Sequence, residues 1–186
     1  MPAVDLPVQD PATVVEPART TLANVQKQYG FVPNLYRIFA NAPAALDAYL
    51  ATSAAFQKSS LTATERNVVL LAASRENGCR YCVAVHSTLA DMQKDPAHVT
   101  NALRDGRPIE DPRLQALSQF TVAVVRGRGH VDEEVKVFLA AGYQPHQVLE
   151  VLVGVMLKTL SNYTNHIAAT PLDDVFAARA WAPQGG

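Results

Sequence analysis

Proline and glycine punctuate this chain where helices start and stop, and their spacing leaves room for little but helices. Pro17 can open a helix that Gly30 ends, and Pro33 and Pro43 can each open another. Proline's missing N–H costs nothing in a first helical turn, where that donor has no intrahelical partner. Asp95-Pro96 and Asp111-Pro112 each read as an N-cap followed by a first-turn proline, with Gly106 and Gly127 placed to stop those helices. Residues 132–141 end at Gly142, and Pro145 opens the longest helix, expected to run to about residue 169 before Pro171. A last short helix is expected over residues 173–181. Strands are hard to place: the valine-rich pieces at 122–125 and 148–155 sit inside helix-length windows and lack hairpin turns. The fold class is all-α.

Residues 62–77 carry a second message. Thr62-x-x-Glu65 has the spacing of a capping box, and the run at 68–73 has no polar face, so this helix is expected to be buried nearly all round. Asn77-Gly78 then breaks it, since both residues tolerate the left-handed conformation that ends helices. Cys79 follows at once, which puts Cys79-x-x-Cys82 at the start of the next helix, about residues 79–93. Residues 1–16, with Pro2, Pro7 and Pro11 and little apolar periodicity, read as an extended arm, and residues 17–186 as one domain.

At about 100° per residue, Cys82 lies about 60° from Cys79 around the helix and His86 about 40° from Cys82, so all three share one stripe. A helix N-terminus stabilises a thiolate, and an imidazole one turn on can take or relay the thiol proton. Two cysteines at this spacing can also close a disulfide with little backbone movement. Composition bears on the alternatives. With 16 basic and 17 acidic residues the net charge is −1, which excludes a nucleic-acid or anionic-membrane partner held by bulk electrostatics. Residues 1–15 do not read as a secretory signal, and no apolar stretch reaches the roughly 18 residues of a spanning helix. The expected address is cytoplasmic, where a cysteine pair is catalytic or metal-binding rather than a staple. Zinc on Cys79, Cys82 and His86 would need a fourth ligand, for which His166 is the one candidate. Cysteines buried as small hydrophobes remain a third reading. No flavin, haem or nicotinamide motif is visible, so no cofactor is expected and electrons must arrive by disulfide exchange.

The motif Asn77-Gly78-Cys79-x-Tyr81-Cys82-x-x-x-His86, behind Leu61-Thr62-x-x-Glu65-Arg66, resembles the core of the AhpD-like alkylhydroperoxidases of the carboxymuconolactone decarboxylase superfamily. The segments Gly30-Phe31-Val32-Pro33-Asn34 and Ser161-Asn162-Tyr163-x-Asn165-His166 resemble flanking parts of its members, so the likeness spans about residues 30–176. It implies an AhpD-like helical bundle, assembled as a trimer or hexamer, that reduces organic hydroperoxides with electrons from a lipoylated or thioredoxin-like dithiol partner. By the same resemblance Cys82 attacks the peroxide, Cys79 resolves the sulfenic acid and His86 relays protons. Decarboxylases of the superfamily lack the cysteine pair; a cofactor-free decarboxylase is the alternative enzyme, and a redox-sensing or zinc-binding module the alternative outside catalysis. One position departs from the family pattern: Asn67 stands where the family has a relay glutamate, and an amide cannot take a proton. Glu76, three residues before Cys79, is the expected substitute, ahead of Glu65, which lies about 160° round the helix from Asn67. Asn162 and His166, one turn apart, are expected to line the thiol pocket or orient His86.

Overall fold

One helix, Ala63–Glu76, has its middle shut off from solvent on every side, and the other helices are arranged around it. The computed structural model describes residues 4–183; Pro2, part of the expected arm, lies outside them. In chain order the α-helices are α1 (Ala18–Tyr29), α2 (Asn34–Phe39), α3 (Pro43–Gln57), α4 (Ala63–Glu76), α5 (Arg80–Gln93), α6 (Ala97–Asp105), α7 (Pro112–Gly127), α8 (Asp132–Ala140) and α9 (Pro145–Ala168). A 3-10 helix, Asp174–Arg179, follows, and no strand occurs among the described residues. α4 packs against α5, α6, α7 and α9, and α9 also packs along α3.

The local chemistry that starts each helix is visible. Thr62 accepts a hydrogen bond from the Glu65 N–H, and the Glu65 carboxylate accepts one from the Thr62 N–H, closing the capping box. Asp111 caps α7 by accepting from the N–H groups of Arg113 and Leu114. Asp95 does not cap α6. Its carboxylate accepts from the Thr64 hydroxyl at 2.8 Å, so it is committed to α4, and α6 starts at Ala97 with Pro96 at its cap. α7 does stop at Gly127, its last helical residue, but the left-handed cap conformation falls on Arg128 rather than on the glycine. The break before the cysteines is as sharp as the sequence implies, with Gly78 at φ +66° and Cys79 as the cap of α5.

Residues before α1 lie against α2 and the turn after it. Gln9 and Arg37 exchange backbone and side-chain hydrogen bonds, Asn41 donates to the Pro7 carbonyl, and Val14 is buried. At the other end Phe176 is buried between Phe31 and Tyr81, and the Trp181 indole donates to the Arg104 carbonyl. The chain after α9 therefore returns over α5.

A close helix contact lies at Gly154, where α9 crosses α3 and α4. A Cβ there would sit 2.6 Å from Val69 Cγ1 and 2.9 Å from the Phe56 ring, both wholly buried. Gly154→Val is expected to lower stability by about 1–3 kcal/mol through overpacking. Chemical denaturation checks this, and an unchanged midpoint would mean that the seam has slack.

Candidate active site

Helix α5 carries Cys79, Cys82 and His86 on the face turned toward α9, and α9 meets them with a polar stripe. Lys158, Ser161, Asn162 and Asn165 recur at helical spacing on an otherwise apolar helix, and all four are buried. Lys158 is only 1% exposed, so its charge needs a partner inside the protein. Its Nζ lies 2.7 Å from His86 Nε2 and 3.7 Å from Cys82 Sγ. With the ammonium as donor, Nε2 is the acceptor and the ring proton resides on Nδ1. Asn165 Nδ2 donates toward both sulfurs, at 3.3 Å to Cys82 and 3.7 Å to Cys79, and Ser161 Oγ lies 3.8 Å from Cys82.

Burial alone would push the Cys82 thiol up. Hydrogen bonds from Cys79, Ser161 and Asn162, with the charge of Lys158, outweigh it and pull the thiol down to about 5. Cys79 moves the other way: it donates to Cys82, is desolvated, and faces a neighbouring thiolate, so its proton is held far more tightly than in a free thiol. Burial and the adjacent ammonium hold His86 well below its usual value, which keeps the imidazole neutral. The pair is thus asymmetric, a Cys82 thiolate beside a Cys79 thiol, both free and both buried.

The expected carboxylates are elsewhere. Glu76 forms a two-pronged ion pair with Arg126 of α7, and Glu65 is held by its own cap and by Arg113. Neither appears among the hydrogen-bond partners of the thiols. The cause is direction: α4 ends with Glu76 turned toward α7, away from the α5–α9 seam. Between Cys82 and His86 stands Lys158, which sequence reasoning passed over, although a lysine in register with Ser161, Asn162 and Asn165 inside an apolar helix was a readable signal. Lys158 also stands where a zinc ion bridging Cys82 and His86 would sit. Among the described residues no three His, Cys, Asp or Glu side chains gather as a metal-ligand set. Asn162 is buried, taking a hydrogen bond from Asn77 and donating to Ser74. His166 is exposed and lines a separate cleft.

A cavity of about 480 Å3 opens on Cys82, His86 and Lys158. Its walls are largely apolar and aromatic, with Phe31, Tyr36, Tyr49, Leu89 and Phe176, and Asn67 lines it too. Such a space admits a small organic molecule to the thiolate.

Residues 40–98, from the end of α2 into α6, match the sequence profile of the carboxymuconolactone decarboxylase family. This segment belongs to that family. The whole chain has the AhpD-like helical fold. It superposes on the AhpD-core structure of an uncharacterised peroxidase-related protein from Ralstonia eutropha JMP134 with a TM-score of 0.83 and 24% identity, over 99% of this chain and 100% of that one. A peroxidase-related protein from Silicibacter sp. TM1040 gives 0.79 at 19% identity, over 94% of this chain and 93% of that one. The debrominase Bmp8, as a cysteine-to-alanine variant in complex with 2,3,4-tribromopyrrole, gives 0.74 at 15% identity over 90% of each chain. No curated protein matches the chain by sequence. Among the described residues, no helix is long and apolar enough to cross a membrane.

The electrostatics predict a titration. Alkylation of Cys82 by iodoacetamide should follow a thiolate that persists as pH falls and is lost only through about pH 5. Lys158→Met removes the compensating charge and should move that midpoint up, toward or above the roughly 8.5 of a free cysteine. A midpoint that stays near 5 in the variant would assign the thiolate to the hydrogen bonds alone.

Proposed function

We propose that this protein is a thiol-dependent peroxidase acting on small organic hydroperoxides, with Cys82 as nucleophile and Cys79 as resolving thiol. The observation that carries the reading is the buried Lys158 ammonium shared between Cys82 Sγ and His86 Nε2 at the floor of an apolar cavity. The Cys82 thiolate attacks one peroxide oxygen and the O–O bond breaks. The alkoxide leaves with a proton from Lys158, whose Nζ is held in place by its hydrogen bond to the neutral His86 Nε2 and which takes a proton back from water afterwards. The products are an alcohol and a Cys82 sulfenic acid. The Cys79 thiol then displaces the hydroxyl as water and closes the Cys79–Cys82 disulfide, which a dithiol donor reopens. Such a donor is a lipoylated or a thioredoxin-like protein. In this scheme Lys158 takes the place the family's relay glutamate would hold, and Asn67 orients substrate or water from the cavity wall.

The same thiolate supports a second reading, reductive dehalogenation of a small halogenated ring. Its support is the aromatic lining of the cavity together with the fold shared with the debrominase. The assembly belongs to the proposal as well. Leu149, Leu152, Met156, Tyr163 and Ile167 form an exposed apolar line along α9, which supports a homotrimer or homohexamer built on that face.

Reduced protein mixed with cumene hydroperoxide should form the Cys79–Cys82 disulfide within seconds, as read by intact mass. Cys79→Ser should instead retain one added oxygen on Cys82, and Lys158→Met should react roughly a hundredfold more slowly. Thiols that oxidise no faster than free cysteine would remove the peroxidase reading and leave dehalogenation, assayed by halide release, as the next test.

A further inference from the structure

The two cysteines, one helical turn apart, line different voids. Cys82 lines the aromatic cavity. Cys79 lines a second cleft of about 380 Å3, bounded by the start of α5, the end of α9 and the returning tail. The wall between the two voids is Tyr81, which lines both. Its hydroxyl donates to Asp173 at 2.6 Å and accepts from the Leu35 N–H, and its ring meets Phe176 edge-on. The linings differ in character. The cleft at Cys79 presents Arg80, Asn165, His166, Thr170 and Trp181, and two polar atoms of these lining residues, Asn165 Oδ1 and Thr170 Oγ1, are buried with no hydrogen-bond partner among the described residues.

We propose that the cleft at Cys79 is the reductant's port, where a small unbranched dithiol attacks Cys79 Sγ of the disulfide while the oxidising substrate uses the separate cavity at Cys82. The inference rests on the redox cycle proposed above and adds its second entrance. Thiol–disulfide exchange runs in the direction that expels the better leaving group. The Cys82 sulfur is the one held as a thiolate by Lys158 and Asn165, so it is the one that departs. The Cys79 sulfur, which keeps its proton tightly, is the one that stays bonded, to the incoming sulfur. In the first step the donor thiolate forms a bond to Cys79 Sγ, the Cys79–Cys82 bond breaks, and its electron pair leaves on Cys82. In the second, the donor's other thiolate attacks its own sulfur in the mixed disulfide. The donor departs as a cyclic disulfide, and Cys79 leaves as a thiolate that takes up a proton. Two electrons pass from the dithiol to the protein. The unpartnered Asn165 and Thr170 oxygens stand ready to accept hydrogen bonds from a polar group on the donor's chain. Cys79 itself has no solvent exposure, and Ala180 and Trp181 border the same cleft. The tail must yield for the donor to reach it.

The test reads the reductive half alone, so it stands apart from any peroxidase assay. Protein oxidised to the disulfide with diamide is mixed with 2-mercaptoethanol, quenched in acid within the first turnover and sequenced by tandem mass spectrometry. The expected adduct is on Cys79. An adduct on Cys82 overturns the proposal. In parallel, Ala180→Trp, which fills the cleft at an exposed position, should slow reduction of the diamide-formed disulfide by dithiothreitol roughly tenfold or more. A variant whose tail had merely come loose would be reduced faster, so the direction of change is diagnostic. An unchanged or faster rate counts against the port. If hydroperoxide leaves the thiols reduced while diamide closes them, the peroxidase reading falls and the port is still judged on these two results. Failure of diamide to close the disulfide overturns both.

Discussion

A lysine ammonium held out of water beside a cysteine sulfur sets the terms for the rest of this site. An uncompensated buried charge is costly, and losing one partner of a buried pair costs roughly 3–5 kcal/mol. Lys158 therefore favours whatever state of Cys82 carries negative charge, and Cys82 in turn makes the lysine tolerable. The surrounding packing keeps that pairing dry. α9 approaches α3 and α4 closely enough at Gly154 to exclude a side chain, and α4, with Val68, Val69 and Leu71 wholly buried, packs against α5. Asn165 adds a directed N–H group in place of solvent. The asymmetry of the cysteine pair is a result of this arrangement rather than of the C-x-x-C spacing.

Much of the fold was legible because helix ends obey short-range chemistry. Thr62 and Glu65 cap α4, Asp111 caps α7, and Pro43, Pro112 and Pro145 open helices, all through contacts within four residues. The exceptions arose where a distant partner competed. Asp95 reads as a cap until Thr64, 31 positions away, claims its carboxylate. The site divides along the same line. Cys79, Cys82 and His86 lie on one helix, and their shared face follows from spacing alone. Glu76 looked close to the thiols in sequence, yet closeness in sequence across a helix break says little about direction, and the α4–α7 packing gave it Arg126 instead. Lys158 comes from a helix that begins 52 positions beyond the end of α5, and only its register with Ser161, Asn162 and Asn165 announced it.

The family-matched segment and the full-length fold neighbours carry different weight. The segment at 40–98 supplies α3, α4 and α5, hence the cysteine motif and its support. Lys158 and its stripe lie outside it, on α9. The part of the chain that matches a family holds the cysteine pair, and the part that lies beyond the match supplies the buried ammonium beside Cys82. Neighbours named for peroxidase-related and debrominase chemistry share one fold at low identity.

The walls of the two voids have a common origin in the last stretch of chain. Phe176 closes one side of the aromatic cavity, while Ala180 and Trp181 close the cleft at Cys79, and Asp173 ties the Tyr81 partition in place. About ten consecutive residues, none of them touching the reactive sulfurs, thus shape both entrances. Evolution could revise what this protein accepts by editing its C-terminal strap alone, leaving the charge-balanced interior untouched.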